Sequence, residues 1–392
     1  MSKATIVYIH QPVGTPQAPI FGIPRVIRSV LEAQKAGIDL VTILVHPNDR
    51  DPVRVILKET KKVVVEWSVI CDMPVYRSDT WSGVWIDGGV LFRSAAVTAI
   101  LESCAASSST VALRHQGVVG PVWWVDSTAP PLSFPVTPDL HNVRYLEQST
   151  ESFAASDSLQ HSEDFLIRGL VKDADGVVSR NINRKISTAI TRRIAHYPVH
   201  PNAVTAVVAL VGLSSWPIGW LGTYAGFAIA GFAYWFSAVL DGVDGELSRL
   251  KYLGSPLGAW LDTLTDDAVG TAYLIGLFGG LATMAPDGIW AELGWFTVVA
   301  FWTTVVPRYW LMITKVGSGD HQKISASRTK EANTTFAKLV DLVAKTVFRT
   351  DFLPFFGMMT SILGLPQIFA WSFAIGTIPA MIETVVTLRK WV

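Results

Sequence analysis

The sequence is poor in cysteine and in charged residues and carries no net charge, and each shortage narrows what the chain can be. Its two cysteines, Cys71 and Cys104, have neither C-x-x-C spacing nor a histidine cluster around them. That argues against a disulfide framework or a zinc site and for reduced cytosolic thiols. Lysines and arginines number 32, as do aspartates and glutamates, so the overall charge gives no reason to expect a nucleic-acid partner. The opening MSKATIVYIHQPVG has too short an apolar run for a secretory signal, so the first half is expected to stay in the cytosol. Charged residues make up 16% of the chain, half of it is hydrophobic, and there are fifteen tryptophans. The long uncharged runs lie mostly in the second half, which points to a membrane protein.

Residues 1–165 read as a soluble α/β domain. Strand signals at 4–9, 40–46, 63–67, 84–92 and 110–114 alternate with helical stretches at 22–37, 51–60 and 93–106. The helix at 22–37 places Val26, Val30, Leu31 and Ala33 among its apolar positions. Such alternation favours a mostly parallel sheet with helices on both faces. Residues 127–162, rich in Ser, Thr and Pro, read as surface loops leading into a connector.

Residues 166–200 form the connector and a basic amphipathic helix. Ile182, Ile186, Ile190 and Ile194 recur every fourth residue, while Arg184, Lys185, Arg192 and Arg193 take other faces, a pattern suited to the headgroup region. Within VHPNAVT, Asn202 and Thr205 are candidate caps for the first spanning helix. Residues 201–392 then carry six expected spans, at roughly 203–217, 221–244, 257–283, 292–314, 352–364 and 367–387. Basic residues crowd 180–196 and 308–349 and are absent from 284–291, so both termini are expected on the cytoplasmic side.

The chain is organised around DGVDGELSRLKYLGSPLGAWLDTLTD, residues 241–266. Asp241 and Asp244 stand three apart and Asp262 and Asp266 four apart, so on helices each pair shares a face. Gly254 and Pro256 break the stretch between the pairs and let the two helices fold back on each other. Four carboxylates meeting at a membrane boundary cannot all stay ionised unless something positive lies between them. Hard oxygen ligands suit Mg²⁺ or Mn²⁺.

These residues resemble the signature of the CDP-alcohol phosphotransferases (phosphatidyltransferases), D-x-x-D-G-x-x-A-R, about eight residues, then G-x-x-x-D-x-x-x-D. It maps onto Asp241, Asp244, Gly245, Ser248, Arg249, Gly258, Asp262 and Asp266, with Ser248 standing where the family usually has alanine. The resemblance implies transfer of a substituted phosphate from a CDP-alcohol to a second alcohol, with release of CMP. It implies two Mg²⁺ or Mn²⁺ ions on Asp241, Asp244, Asp262 and Asp266, with Asp262 and Asp266 at the catalytic centre and Asp266 as general base. Gly245, Ser248, Arg249 and Gly258 would meet the CDP moiety, although helix packing accounts for either glycine equally well. Arg308, Lys315, Arg349 and Lys390 would line an acceptor site, or satisfy no more than the positive-inside rule. Asp267 falls off the motif's phase and is expected to face solvent or a partner helix.

The first half resembles sugar-nucleotide and CDP-alcohol nucleotidyltransferases at PIFGIPRVIRSVLEAQKAGIDLVTILV. The loop before it, HQPVGTPQAP, has one glycine and no arginine, with Gln17 and Ala18 near where those enzymes have a lysine. Asp87 in WIDGG matches their metal-binding aspartate, or makes an ordinary Asp-Gly turn. The layout resembles bifunctional inositol-phosphate cytidylyltransferase/di-inositol-phosphate phosphate synthases with a degenerate first domain. The expected fold is thus multi-domain, a Rossmann-like nucleotidyltransferase domain followed by an all-α six-helix transmembrane domain. The implied partners are a CDP-alcohol donor, an alcohol or phospho-alcohol acceptor, membrane lipid and a second copy in a homodimer. Two alternatives stay open for the first half, an active cytidylyltransferase or a non-catalytic binding or oligomerisation module. An ion-binding transporter would also place acids in a membrane, but no inverted repeat is visible and the glycines and Arg249 would go unexplained.

Overall fold

The computed structural model describes residues 6–11, 19–71, 81–104, 111–116, 118–127, 143–148, 151–154, 158–171, 175–316 and 352–391. Two compact units divide the chain, Met1–Gly169 and Leu170–Val392.

The first unit is built on a seven-stranded sheet in the order β5-β4-β1-β6-β8-β7-β9. Its strands are β1 (Ile6–His10), β4 (Leu40–Val45), β5 (Glu66–Cys71), β6 (Trp81–Asp87), β7 (Val111–His115), β8 (Val118–Ser127) and β9 (Arg144–Glu147). β2 (Pro19–Ile20) and β3 (Ile23–Pro24) form a separate small hairpin. The helices are α1 (Arg25–Lys35), α2 (Arg50–Glu59), α3 (Ser94–Cys104) and α4 (Leu159–Arg168). β1 pairs in parallel with β4 and β6, and β4 with β5, whereas β8 runs antiparallel to both β6 and β7. Val26, Val30, Leu31 and Ala33 of α1 are buried, as their spacing predicts.

Two strands escape the sequence pattern, β8 and β9, the latter within the stretch 127–162 read as loops. β8 carries Gly120 and Pro121 mid-strand, both poor strand signals. Gly120 is there because the Phe153 ring lies against it, 2.7 Å from where a Cβ would stand. Arg25 and Arg28 of α1 are buried as well, donating to the carbonyls of Gly89 and Ile20 at 2.5 and 2.7 Å.

The second unit is helical. It contains α5 (Arg184–Ile194), α6 (Pro201–Leu213), α7 (Ser215–Trp220), α8 (Tyr224–Leu250), α9 (Pro256–Met284) and α10 (Trp290–Leu311). α11 (Phe352–Ile362) and α12 (Pro366–Trp391) follow. Among the described residues, four helical stretches are long and apolar enough to cross a membrane: Pro201–Trp220, Tyr224–Leu250, Pro256–Met284 and Trp290–Thr314. The fifth and sixth expected spans fall on shorter apolar helices, Phe352–Ile362 and Pro366–Ile382. Leu210, Ile229, Phe232, Trp295 and Ile375 are exposed, an outer surface suited to lipid. Inside, Phe227, Tyr273, Leu274, Leu277, Phe278, Leu281 and Phe369 form a common core.

Glycine lets two of these helices approach closely. A Cβ on Gly276 of α9 would lie 2.7 Å from the carbonyl oxygens of Ser215 and Trp216, and one on Gly280 would collide with the Gly219 carbonyl. Gly276→Ala is therefore expected to cost about 1–3 kcal/mol. Its check is the thermal unfolding midpoint of the full chain in detergent, which should fall.

Candidate metal and phosphate site

α8 ends and α9 begins within five residues. The chain reverses through Tyr252, at φ +52°, while Leu253 N–H donates to Ser248 O at 2.8 Å. Tyr252 takes the left-handed conformation, and Gly254 lies in the break between the helices, as the sequence reading has it. Ser255 then caps α9, its Oγ accepting from Gly258 N–H at 3.0 Å, with Pro256 in the first turn.

This reversal brings Asp241 and Asp244 of α8 together with Asp262 of α9. One carboxylate oxygen from each of the three lies within 4.8 Å of the others. Asp241 Oδ1 is buried without a hydrogen-bond partner. A buried, unpartnered carboxylate oxygen is costly on its own, and a proton or a bound cation would relieve that cost. Asp266 stands one turn beyond Asp262 and is solvent-exposed; it interacts electrostatically with Asp241, Asp244 and Asp262.

Asp244 is 5% exposed and accepts a 2.5 Å hydrogen bond from Thr205 Oγ1 on α6. Thr205 therefore orients a candidate ligand and does not cap its helix. The cap is His200, whose Nδ1 accepts from Asn202 N–H at 3.2 Å. The sequence alone gave no sign that Thr205 and Asp244, thirty-nine residues apart, would meet.

The signature glycines differ from the packing glycines. Within 4 Å, a Cβ on Gly245 would meet only Arg249 Nη1, at 3.3 Å. One on Gly258 would meet its own capping Ser255 Oγ at 3.1 Å and Asn202 Oδ1 at 3.5 Å. Neither is pressed against a neighbouring helix backbone, as Gly276 and Gly280 are, so helix packing does not account for them. Side-chain ends alone stand near them, and Arg249 reaches back over Gly245. Ser248 is half-buried on the same turn.

The partner of Asp267 is a helix. It is buried against α10, where Tyr309 donates to its Oδ2 at 2.7 Å and Arg308 Nη2 lies 3.5 Å from its Oδ1. Arg308, expected at an acceptor site, is thus engaged with Asp267 and also interacts electrostatically with Asp266. Arg349 and the side chains of Lys315 and Lys390 lie outside the described residues, as does most of the HQPVGTPQAP loop with Gln17 and Ala18. In the first unit, Asp87 Oδ1 accepts from Gly89 N–H at 2.9 Å, the hydrogen bond of an Asp-Gly turn.

α5 has a second face that the isoleucine repeat does not reveal. Its isoleucines are only half-buried, while its fully buried row is polar: Asn183, Ser187 and Thr191, in line with Ser179 before the helix. That row faces α8 and carries Glu246 between its hydroxyls. Burial disfavours the Arg184 charge, but its hydrogen bonds and attraction to Asp175 and Glu246 outweigh this and raise its pKa. A polar buried face gives no hydrophobic-periodicity signal, so it went unread beside the isoleucine repeat.

A family model described as CDP-alcohol phosphatidyltransferase matches residues 198–385. The "Bifunctional IPC transferase and DIPP synthase" of Thermococcus kodakarensis is 36% identical over 119 residues, covering 30% of this chain and 26% of the relative. The protein of the same name from Archaeoglobus fulgidus is 36% identical over 132 residues, covering 33% of this chain and 26% of its own length. That from Aquifex aeolicus is 31% identical over 154 residues, with 38% and 33% covered. The aligned stretches thus span between 26% and 33% of the relatives' own length. A solved structure, the 4-diphosphocytidyl-2C-methyl-D-erythritolsynthase of Anaerococcus prevotii, covers 41% of this chain and 98% of its own, at 9% identity and a TM-score of 0.31, too slight a likeness to build on. Residues 198–385, which hold the aspartate cluster, are thus similar to the CDP-alcohol phosphatidyltransferase family.

Proposed function

We propose that the chain transfers a substituted phosphate from a CDP-alcohol to a second alcohol and releases CMP. The observation that carries this reading is the convergence of Asp241, Asp244 and Asp262, with an unpartnered buried oxygen on Asp241, beside Gly245 and Gly258, which no neighbouring helix backbone crowds. Asp241, Asp244, Asp262 and Asp266 would hold two Mg²⁺ or Mn²⁺ ions. Bound there, the ions would neutralise the pyrophosphate as its bond to CMP breaks.

The protein's own groups divide the remaining work. Gly245 and Gly258 let the nucleotide approach the backbone, and Arg249 meets its phosphate with a guanidinium fork. Ser248 adds a hydroxyl on the same turn. Asp266 accepts the proton of the incoming hydroxyl as that oxygen bonds to phosphorus and CMP leaves. Thr205 holds Asp244 in place from α6.

The relatives' printed names and the resemblance of the layout favour an inositol phosphate as acceptor. The distribution of basic residues favours six spans with the active site and first unit on the cytoplasmic side; the homodimer rests on the resemblance alone. We read the first unit as non-catalytic, because Asp87 is committed to its turn and the loop before α1 carries a single glycine. The full chain is thus expected to release no pyrophosphate from CTP, and release above background would restore the bifunctional reading.

The test of the main reading is CMP release by the detergent-purified full chain with Mg²⁺, comparing CDP-diacylglycerol and CDP-inositol as donors. CMP is expected from one donor and should vanish when EDTA removes the metal. Turnover unchanged by EDTA would contradict the reading.

A further inference from the structure

Glu246 occupies one of the unspecified positions of the signature, between Gly245 and Arg249. At 3.6 residues per turn it lies about 140° round α8 from Asp241 and about 160° from Asp244, on the opposite side from the candidate metal ligands. It is fully buried, at 0% exposure. Both of its oxygens are held from α5: Ser187 Oγ donates to Oε1 and Thr191 Oγ1 to Oε2, each at 2.6 Å, and Arg184 Nη1 donates to Oε1 at 2.9 Å. Arg184 is fixed in turn by two hydrogen bonds to Asp175, at 3.0 and 3.2 Å. Gly242 permits the approach, since a Cβ there would stand 3.0 Å from Arg184 Nη1 and 3.3 Å from Ser187 Oγ. Further along the same face of α8, Trp235 Nε1 donates to Asn183 Oδ1 at 3.0 Å.

Stability alone is a poor account of this arrangement, because replacing a buried ion pair by apolar side chains is often neutral or stabilising. What directional hydrogen bonds provide, and an apolar face does not, is a single rotation and register. Ridges of methyl groups slide past one another; a carboxylate gripped by two hydroxyls and a guanidinium does not.

We propose that Glu246 is a positioning residue: the α5 latch upon it fixes the rotation of α8 and so aims Asp241 and Asp244 at Asp262 on α9. This rests on the reading of those aspartates as metal ligands. Small misplacements of a coordinating group are expensive, which makes a remote buttress effective.

The experiment is Mn²⁺ titration of the full chain in nanodiscs, followed by electron paramagnetic resonance, with thermal unfolding in parallel. Glu246→Ala is expected to weaken Mn²⁺ binding by about 10–100-fold, as loss of an orienting group behind a metal site does. Glu246→Gln, which keeps partners for both hydroxyls, should stay within about threefold of wild type. Gly276→Ala is the control for general loosening and should lose stability while keeping wild-type affinity. If Glu246→Ala binds Mn²⁺ as wild type does, or Gly276→Ala loses as much, the proposal fails. Should Glu246→Ala not fold, Thr191→Val leaves Ser187 and Arg184 on the carboxylate; weakened Mn²⁺ binding supports the proposal and unchanged binding overturns it. Absence of Mn²⁺ binding in the wild type would overturn the metal reading itself, an outcome distinct from wild-type binding by Glu246→Ala.

Discussion

Asp266→Asn is expected to lower CMP release by roughly 10²–10⁴-fold, the usual contribution of a positioned general base. The amide cannot take the acceptor's proton, while the side chain keeps its size and place. Asp241, Asp244 and Asp262 remain to hold metal, so the variant should still bind Mn²⁺, more weakly than the wild type and more tightly than Asp262→Asn. Because Asp266 is exposed and Asp267 makes the contact with α10, the fold should be little changed. Loss of turnover with metal retained is the expected signature, read from CMP release and Mn²⁺ titration on the same preparation.

The second large effect separates binding from folding. Asp262→Asn removes one of the three converging carboxylates and is expected to weaken Mn²⁺ binding by at least about a hundredfold, beyond the upper end of what outer-shell changes cost. Turnover should fall with it. Without metal, the same substitution relieves repulsion among like charges, so the metal-free variant should unfold at the same temperature as the wild type or a higher one. A structural carboxylate would behave the other way, with its loss lowering the midpoint whether or not metal is present.

What the sequence made legible, and what it hid, follows from the kind of signal each feature emits. The two aspartate pairs were readable because i, i+3 and i, i+4 spacing on a helix defines a face whatever surrounds it. The α1 core was readable because burial of Val26, Val30, Leu31 and Ala33 is what periodicity measures. Contacts between distant segments leave no such trace: Thr205 with Asp244, Tyr309 with Asp267, and the α5 hydroxyls with Glu246 all join residues from different helices. Each pairs polar groups inside a protein, and polar residues read from sequence alone as surface. β8 was hidden by its own packing, since the glycine that makes room for Phe153 is a poor strand signal. The signature glycines became interpretable only by contrast with Gly276 and Gly280, which are crowded by backbone where Gly245 and Gly258 are not.

The central claim is that Asp241, Asp244 and Asp262 form one metal site on which the phosphate chemistry depends. Its most direct test is Mn²⁺ titration of the full chain and of Asp262→Asn under identical conditions, with CMP release measured on the same samples. Saturable binding in the wild type, with both binding and CMP release lost in the variant, is the predicted result. An Asp262→Asn protein that binds Mn²⁺ as tightly as wild type, or a wild type that releases CMP without binding any divalent ion, would contradict it.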